Sequence, residues 1–69
     1  MDLSNRELDR LLRKATFEEK YDEVIRLLEK GADPNSVDAL HQSPLHYAAK
    51  HNVSGTIIYA LADHGADFN

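Results

Sequence analysis

No cysteine occurs in the 69 residues, so neither a disulfide nor a thiolate metal site can staple the fold, and packing alone must hold it. A chain of this length is one domain at most, in the size range where burying enough apolar surface is difficult and stability is marginal. There is no surplus of positive charge. Eight Lys and Arg stand against twelve Asp and Glu, a net charge of −4, which gives no field to attract phosphates, so nucleic acid is not expected as a partner. No apolar run approaches the length of a membrane span, and the first residues lack the basic start and apolar core of a secretion signal. With the absence of cysteine, this leads to an expected cytoplasmic location and no membrane partner. The three glycines form no phosphate-binding loop; two are expected to end helices and one to lie in a turn. What remains is 42% hydrophobic and 29% charged, the composition of a folded soluble domain rather than a disordered tail.

Helix signals fill most of the chain. Ser4 followed by Glu7 reads as a capping box, with Leu3 placed to staple against Leu8. Leu8, Leu11, Leu12 and Ala15 recur at i, i+3, i+4 and i+7, which predicts a helix from about Asn5 to about Phe17 with Arg6, Asp9, Arg10 and Arg13 on its wet face. Acid-then-base spacings such as Asp9 with Arg13, and Asp22 with Arg26, read as solvated helix faces. A second stripe, Tyr21, Val24, Ile25, Leu27 and Leu28, ends at Gly31, a left-handed helix-ending residue, with Pro34 just beyond. Residues Ala32 to Gln42 have no helical period and predict an extended or hairpin-like excursion. Ser43 then caps a short third helix with Pro44 at its first position, ending near Lys50 or His51. After a turn from Asn52 to Gly55, with Ser54 placed to cap, Ile57, Ile58, Leu61 and Ala62 give a fourth helix that Gly65 terminates.

The two halves repeat. Leu12-Arg13-Lys14-Ala15-Thr16 aligns with Leu45-His46-Tyr47-Ala48-Ala49 at an offset of 33, and Gly31-Ala32-Asp33-Pro34-Asn35 with Gly65-Ala66-Asp67-Phe68-Asn69 at 34. One extra residue therefore lies in the second unit, between Asn52 and Thr56. Ser43-Pro44-Leu45-His46-Tyr47-Ala48-Ala49 resembles the T-P-L-H-x-A core of the ankyrin repeat, with Ser43 keeping the hydroxyl of the usual Thr, and both Gly-Ala-Asp phrases resemble that family's closing motif. The resemblance implies an all-α solenoid of two helix-turn-helix units, about 3–35 and 36–69, joined by a β-hairpin-like loop. Arg10-Leu11-Leu12-Arg13 departs from the motif; a degenerate first unit with a charged outer face suits the N-terminal cap of a solenoid. No such treatment is visible at the other end, so Ile57, Ile58, Leu61 and Ala62 are expected to leave apolar surface uncovered, for further repeats or a second molecule to meet.

Residues with catalytic chemistry all have structural readings. The resemblance implies that His46 hydrogen-bonds within and between repeats while Ser43 fixes the start of the same helix; a Ser43–His46 nucleophilic pair lacks an acid and an oxyanion hole. His46 and His51 are five apart, not the i, i+4 spacing of a ligand pair, and His41 and His64 are scattered, so no metal site is expected. Glu18 with Glu19, and Asp22 with Glu23, stand where acids favour the helix dipole. Asp33, Asp38 and Asp67 organise turns, and Asn35 and Asn69 suit unusual backbone angles. No enzyme and no cofactor are expected.

Ankyrin arrays bind proteins through hairpin tips and the concave face of their inner helices. Carried onto this chain, the tip maps to Ala39, Leu40 and Gln42, and the inner helices to Phe17 and Glu18 in the first unit and Lys50 and His51 in the second. Phe17 and Leu40 are either partner contacts or pack under neighbouring turns, and Tyr47 is similarly divided between packing and contact. His41 replaces the family's usual glycine at the hairpin, which leaves that turn's geometry open. The expected function is non-catalytic protein binding. The alternatives are a regulatory or targeting segment of a larger enzyme or pathogen effector, and a self-associating structural piece.

Overall fold

Four helices account for most of residues 4–67, the part of the chain that the computed structural model describes: α1 (Asn5–Phe17), α2 (Tyr21–Glu29), α3 (Pro44–Lys50) and α4 (Gly55–Asp63). Among these residues there is no strand. The expected Leu3 staple, and Phe68 and Asn69 of the closing phrase, lie outside them.

α1 starts at Ser4, whose hydroxyl accepts from the Glu7 amide at 3.2 Å and donates to the Glu7 carboxylate at 3.3 Å. Because that carboxylate turns to the hydroxyl rather than back to the Ser4 amide, the expected capping box is half made. The buried face is Leu8, Leu12, Ala15 and Thr16, with Leu11 only half-buried. Thr16 is tolerated at 0% exposure because its hydroxyl donates to the Leu12 carbonyl at 2.8 Å. α2 buries Val24, Leu27 and Leu28, whereas Tyr21, expected in that stripe, is the first residue of the helix and is exposed.

All four helices end the same way. In α2 the Gly31 amide returns to the Leu28 carbonyl and the Ala32 amide to the Leu27 carbonyl, the paired bonds of a Schellman ending; Gly65 and Ala66 repeat them on Ala62 and Leu61. Gly31 and Gly65 sit at φ of +101° and +95°, where a side chain is disfavoured. Glu19 and Asn52 occupy the equivalent left-handed position after α1 and α3 at φ of +57° and +52°, with Lys20 bonded to Ala15 and Val53 to Ala48. These last two bonds keep the offset of 33 and everything after them follows 34, so the extra residue of the second unit falls between Val53 and Gly55. Gly55 is therefore the first residue of α4 and not part of the turn, and Ser54, at the cap position, makes no side-chain cap bond.

α3 has the complete cap. Ser43 Oγ accepts from the His46 amide and the Ser43 amide donates to His46 Nδ1 at 3.0 Å, so a histidine fills the place usually held by Glu or Gln. Pro44 at the first position is buried.

α1 packs on α2 and α3, and both α2 and α3 pack on α4, giving an inner layer of α1 and α3 and an outer layer of α2 and α4. One apolar core runs between the layers, from Leu8 and Leu12 through Val24, Leu27 and Leu28 to Ala48, Ile57 and Leu61. Ile57 and Leu61 are 1% and 0% exposed, which corrects the expectation that the α4 stripe stays uncovered: i and i+4 on a helix turn to the same side, and here that side is the core. Ile58 and Ala62 are half-buried, and Tyr59 is the exposed large side chain of α4.

Polar side-chain contacts fasten turns to one another across the two units, and one fastens a turn to α1 within the first. Asn35 donates from its side-chain amide to the Gly65 carbonyl at 2.9 Å and accepts from the Asp67 amide at 2.6 Å; its φ is not positive, so it serves as a clamp and takes no unusual backbone angle. Asp9 accepts the Asp33 amide at 2.7 Å in the same manner one unit earlier. The Ser54 amide donates to Glu19 Oε1 at 3.1 Å, linking the two interhelix turns.

In the excursion between the helix pairs, a single backbone bond from the Asp38 amide to the Gln42 carbonyl, 3.1 Å, stands in for a hairpin ladder. The Asp38 carboxylate organises the turn by accepting the Leu40 amide at 2.8 Å and the Gln42 amide at 3.0 Å. His41 adopts the left-handed φ of +60° that a glycine would take there.

Candidate functional site

Burying Leu8, Leu12, Ala15 and Thr16 turns the next face of α1 outward, and that face carries Arg10, Arg13, Lys14 and Phe17 at i, i+3, i+4 and i+7. With Tyr47 of α3 and Asp38 of the loop they line a groove of about 440 Å³. A second depression of about 520 Å³ continues along α1 past Arg6 and Asp9 to Ser36, Val37 and Ala39.

Rings and hydrogen bonds fix the groove's shape. Phe17 meets His51 edge to face, with centroids 4.4 Å apart and planes at 89°, and His51 lies parallel to Tyr47 at 6.4 Å and 8°. The Tyr47 hydroxyl donates to Asp38 Oδ2, so one side chain fastens α3 to the loop. Arg13 reaches from α1 to the same loop, donating to Ser36 Oγ at 2.8 Å. The Tyr47 hydrogen bond, helped by the amides of Gln42 and Leu40 and by the charge of Arg13, holds the Asp38 carboxyl below its ordinary value against the opposing effect of burial. The same bond, with burial and the Asp38 charge behind it, pushes the Tyr47 phenol up.

The structure gathers part of the sequence-predicted set. Phe17, Tyr47 and His51 form one ring cluster; Phe17 is 49% exposed even so, which makes it both packed and available. Leu40 stands 75% exposed at the loop tip, and the packed alternative is not taken. Ala39 lines the adjoining depression, Gln42 holds the Asp38 turn, and Lys50 lies exposed at the end of α3. Glu18 is not brought in: it points to Lys20 at 3.7 Å and lines the separate depression between α1 and α2.

Arg10, Arg13, Lys14 and Asp38 are the groove residues that sequence reasoning left out. Arg10 and Arg13 are there assigned to water, although their spacing with Phe17 along one helical face was the available signal. Neither acid-then-base pair forms. Asp9 is taken by the Asp33 amide and Arg13 by Ser36, while Arg26 pairs with Glu23 at 3.7 Å in place of Asp22. His46 Nδ1 is engaged by Ser43, and His64 Nδ1 lies 2.9 Å from the Ala60 carbonyl. Among the described residues no three His, Asp or Glu converge as metal ligands, and no helix is long and apolar enough to cross a membrane.

The family model described as "Ankyrin repeats (many copies)" matches residues 8–62. No curated protein and no solved structure matches the chain.

Proposed function

Since the chain belongs to the ankyrin-repeat family, whose arrays are generally protein-binding modules, we propose that it acts without catalysis, as one domain, by binding another protein in the groove between α1, α3 and the Asp38 loop. The observation that carries this reading is the ring cluster: Phe17, Tyr47 and His51 are fixed by one another and by Asp38, yet Phe17 keeps half its surface open. A rigid, partly exposed aromatic in a concavity is the usual centre of a protein-binding surface. Leu40 at the tip extends the contact area, with Ala39 and Gln42 beside it in the loop and Lys50 at the end of α3. The test is retention of proteins from an extract on the immobilised chain, wild type against a variant with Phe17, Leu40, Lys50 and His51 all changed to Ala. Selective loss from the variant, with its helicity intact, supports the reading, and equal retention refutes it.

A second reading, self-association through α4, is favoured by Tyr59, 74% exposed beside half-buried Ile58. It requires a melting midpoint that rises with protein concentration.

A further inference from the structure

Helix α1 is basic within an acidic chain. Arg6, Arg10, Arg13 and Lys14 outnumber Glu7 and Asp9, although the whole protein has a net charge of −4. The groove concentrates this imbalance. Its single acid, Asp38, already accepts from Tyr47, Leu40 and Gln42, and on the adjoining stretch Asp9 is taken by the Asp33 amide. Among the described residues neither Arg10 nor Lys14 forms an ion pair. Both are exposed, one helical turn apart, with Phe17 on the same face.

Resting on the groove reading above, we propose that the occupant is an extended acidic segment of another protein, with two carboxylates at alternate positions followed by an apolar side chain. The spacing follows from geometry. Residues four apart on a helix lie about 6 Å apart along the axis, and alternate residues of an extended chain lie about 7 Å apart on one side. Carboxylates at i and i+2 therefore meet Arg10 and Lys14 together. Continuing in the same direction, the segment brings its next side chains to Phe17, whose open half accepts an apolar group. Positive groove and negative segment also set the direction of docking and speed encounter at low salt.

The experiment is selection of random twelve-residue peptides on the intact immobilised chain, followed by fluorescence-anisotropy titration of the selected peptides. The expected result is enrichment of Asp or Glu at alternate positions ahead of an apolar residue. Affinity should fall about tenfold or more with Arg10→Glu and Lys14→Glu combined, and several-fold in high salt. Both positions are exposed, and Arg10→Gln with Lys14→Gln serves as a milder pair, with circular dichroism checking the fold of each. Selected peptides that are neutral or basic, weakened by Phe17→Ala yet indifferent to charge reversal, overturn the acidic segment and leave the groove reading in place. A preference above tenfold for a phosphorylated peptide over its carboxylate counterpart also overturns it, by assigning the cations to phosphate. If no peptide is selected, or those selected respond neither to Phe17→Ala nor to charge reversal, the proposal and the groove reading fail together.

Discussion

The side-chain amide of Asn35 donates to the carbonyl of Gly65, thirty residues further on, at 2.9 Å, and its oxygen accepts from the next amide but one, that of Asp67, at 2.6 Å. One residue thus fastens the closing turn of the first unit to that of the second. Both bonds are exposed, so each is worth the modest net value of a solvated hydrogen bond. Asn35→Ala is expected to cost about 1–2 kcal/mol in urea unfolding and to accelerate hydrogen exchange at the Asp67 amide. Unchanged stability and unchanged exchange would show the clamp to be idle.

Glycine substitutions should separate backbone strain from crowding. A Cβ added at Gly31 or Gly65 meets nothing within 4 Å, yet both residues sit in the left-handed region. Gly31→Ala and Gly65→Ala are each expected to destabilise by about 1 kcal/mol or somewhat more, from conformation alone. Gly55, in helical backbone with its nearest neighbour Tyr59 Cε2 at 4.0 Å, should behave oppositely: Gly55→Ala is expected to stabilise by about 0.4–1 kcal/mol. Thermal or urea midpoints of the three variants decide it.

The helices were legible because their signals are local. Ser4, Ser43 with Pro44, Gly31 and Gly65 mark ends within a few residues of themselves, and the bounds of α1 agree with the apolar period of Leu8, Leu12 and Ala15. What escaped depends on contacts far apart in sequence. Ile57 and Leu61 carry the same pattern whether covered or open, and only the packing of α4 on α2 and α3 decides that they are core. Arg10 and Arg13 read as solvated for the same reason: a charged helical face looks alike in free water and in a groove. The Asp38–Tyr47 bond joins a loop to a helix nine residues away, and the turn chemistry of Asp38 was visible while its second oxygen's partner was not.

That bond sets a pH window. Asp38 is held below its ordinary 3.8, so its contribution is present above that value and is lost as pH falls through the lowered one. Tyr47 is raised above 10.0, so its contribution is present below 10.0 and is lost as pH rises through the raised value. The stability difference between wild type and Tyr47→Phe is therefore expected to hold steady between these limits and to shrink beyond each. Asp38→Asn should abolish the acid-side change and bring the Tyr47 phenol back down, measured by tyrosinate absorbance against the Tyr47→Phe background. A wild-type minus Tyr47→Phe difference that stays flat as pH falls below the Asp38 range would mean that the two groups are not coupled.

In the turn that presents Leu40, His41 is the residue held in left-handed backbone. Its amide donates to the Asp38 carbonyl at 3.0 Å, and the amides of Leu40 and Gln42 on either side are bound by the Asp38 carboxylate. The turn therefore keeps its shape whatever stands at position 41, and His41 must accept φ of +60°. Left-handed backbone costs a residue with a Cβ about 1–2 kcal/mol, whereas glycine escapes that cost but adds about 0.4–1 kcal/mol of unfolded-state freedom. The two terms oppose, and the first is larger. His41→Gly is expected to stabilise by up to about 1 kcal/mol, and His41→Asn to change little, since asparagine tolerates this conformation. His41→Val, β-branched where φ is positive, should destabilise clearly. Urea midpoints in the order Gly, then Asn and His, then Val would establish that the turn is imposed by Asp38. A Val variant as stable as wild type would mean that the turn relaxes, and that Leu40 is not held where a partner would find it.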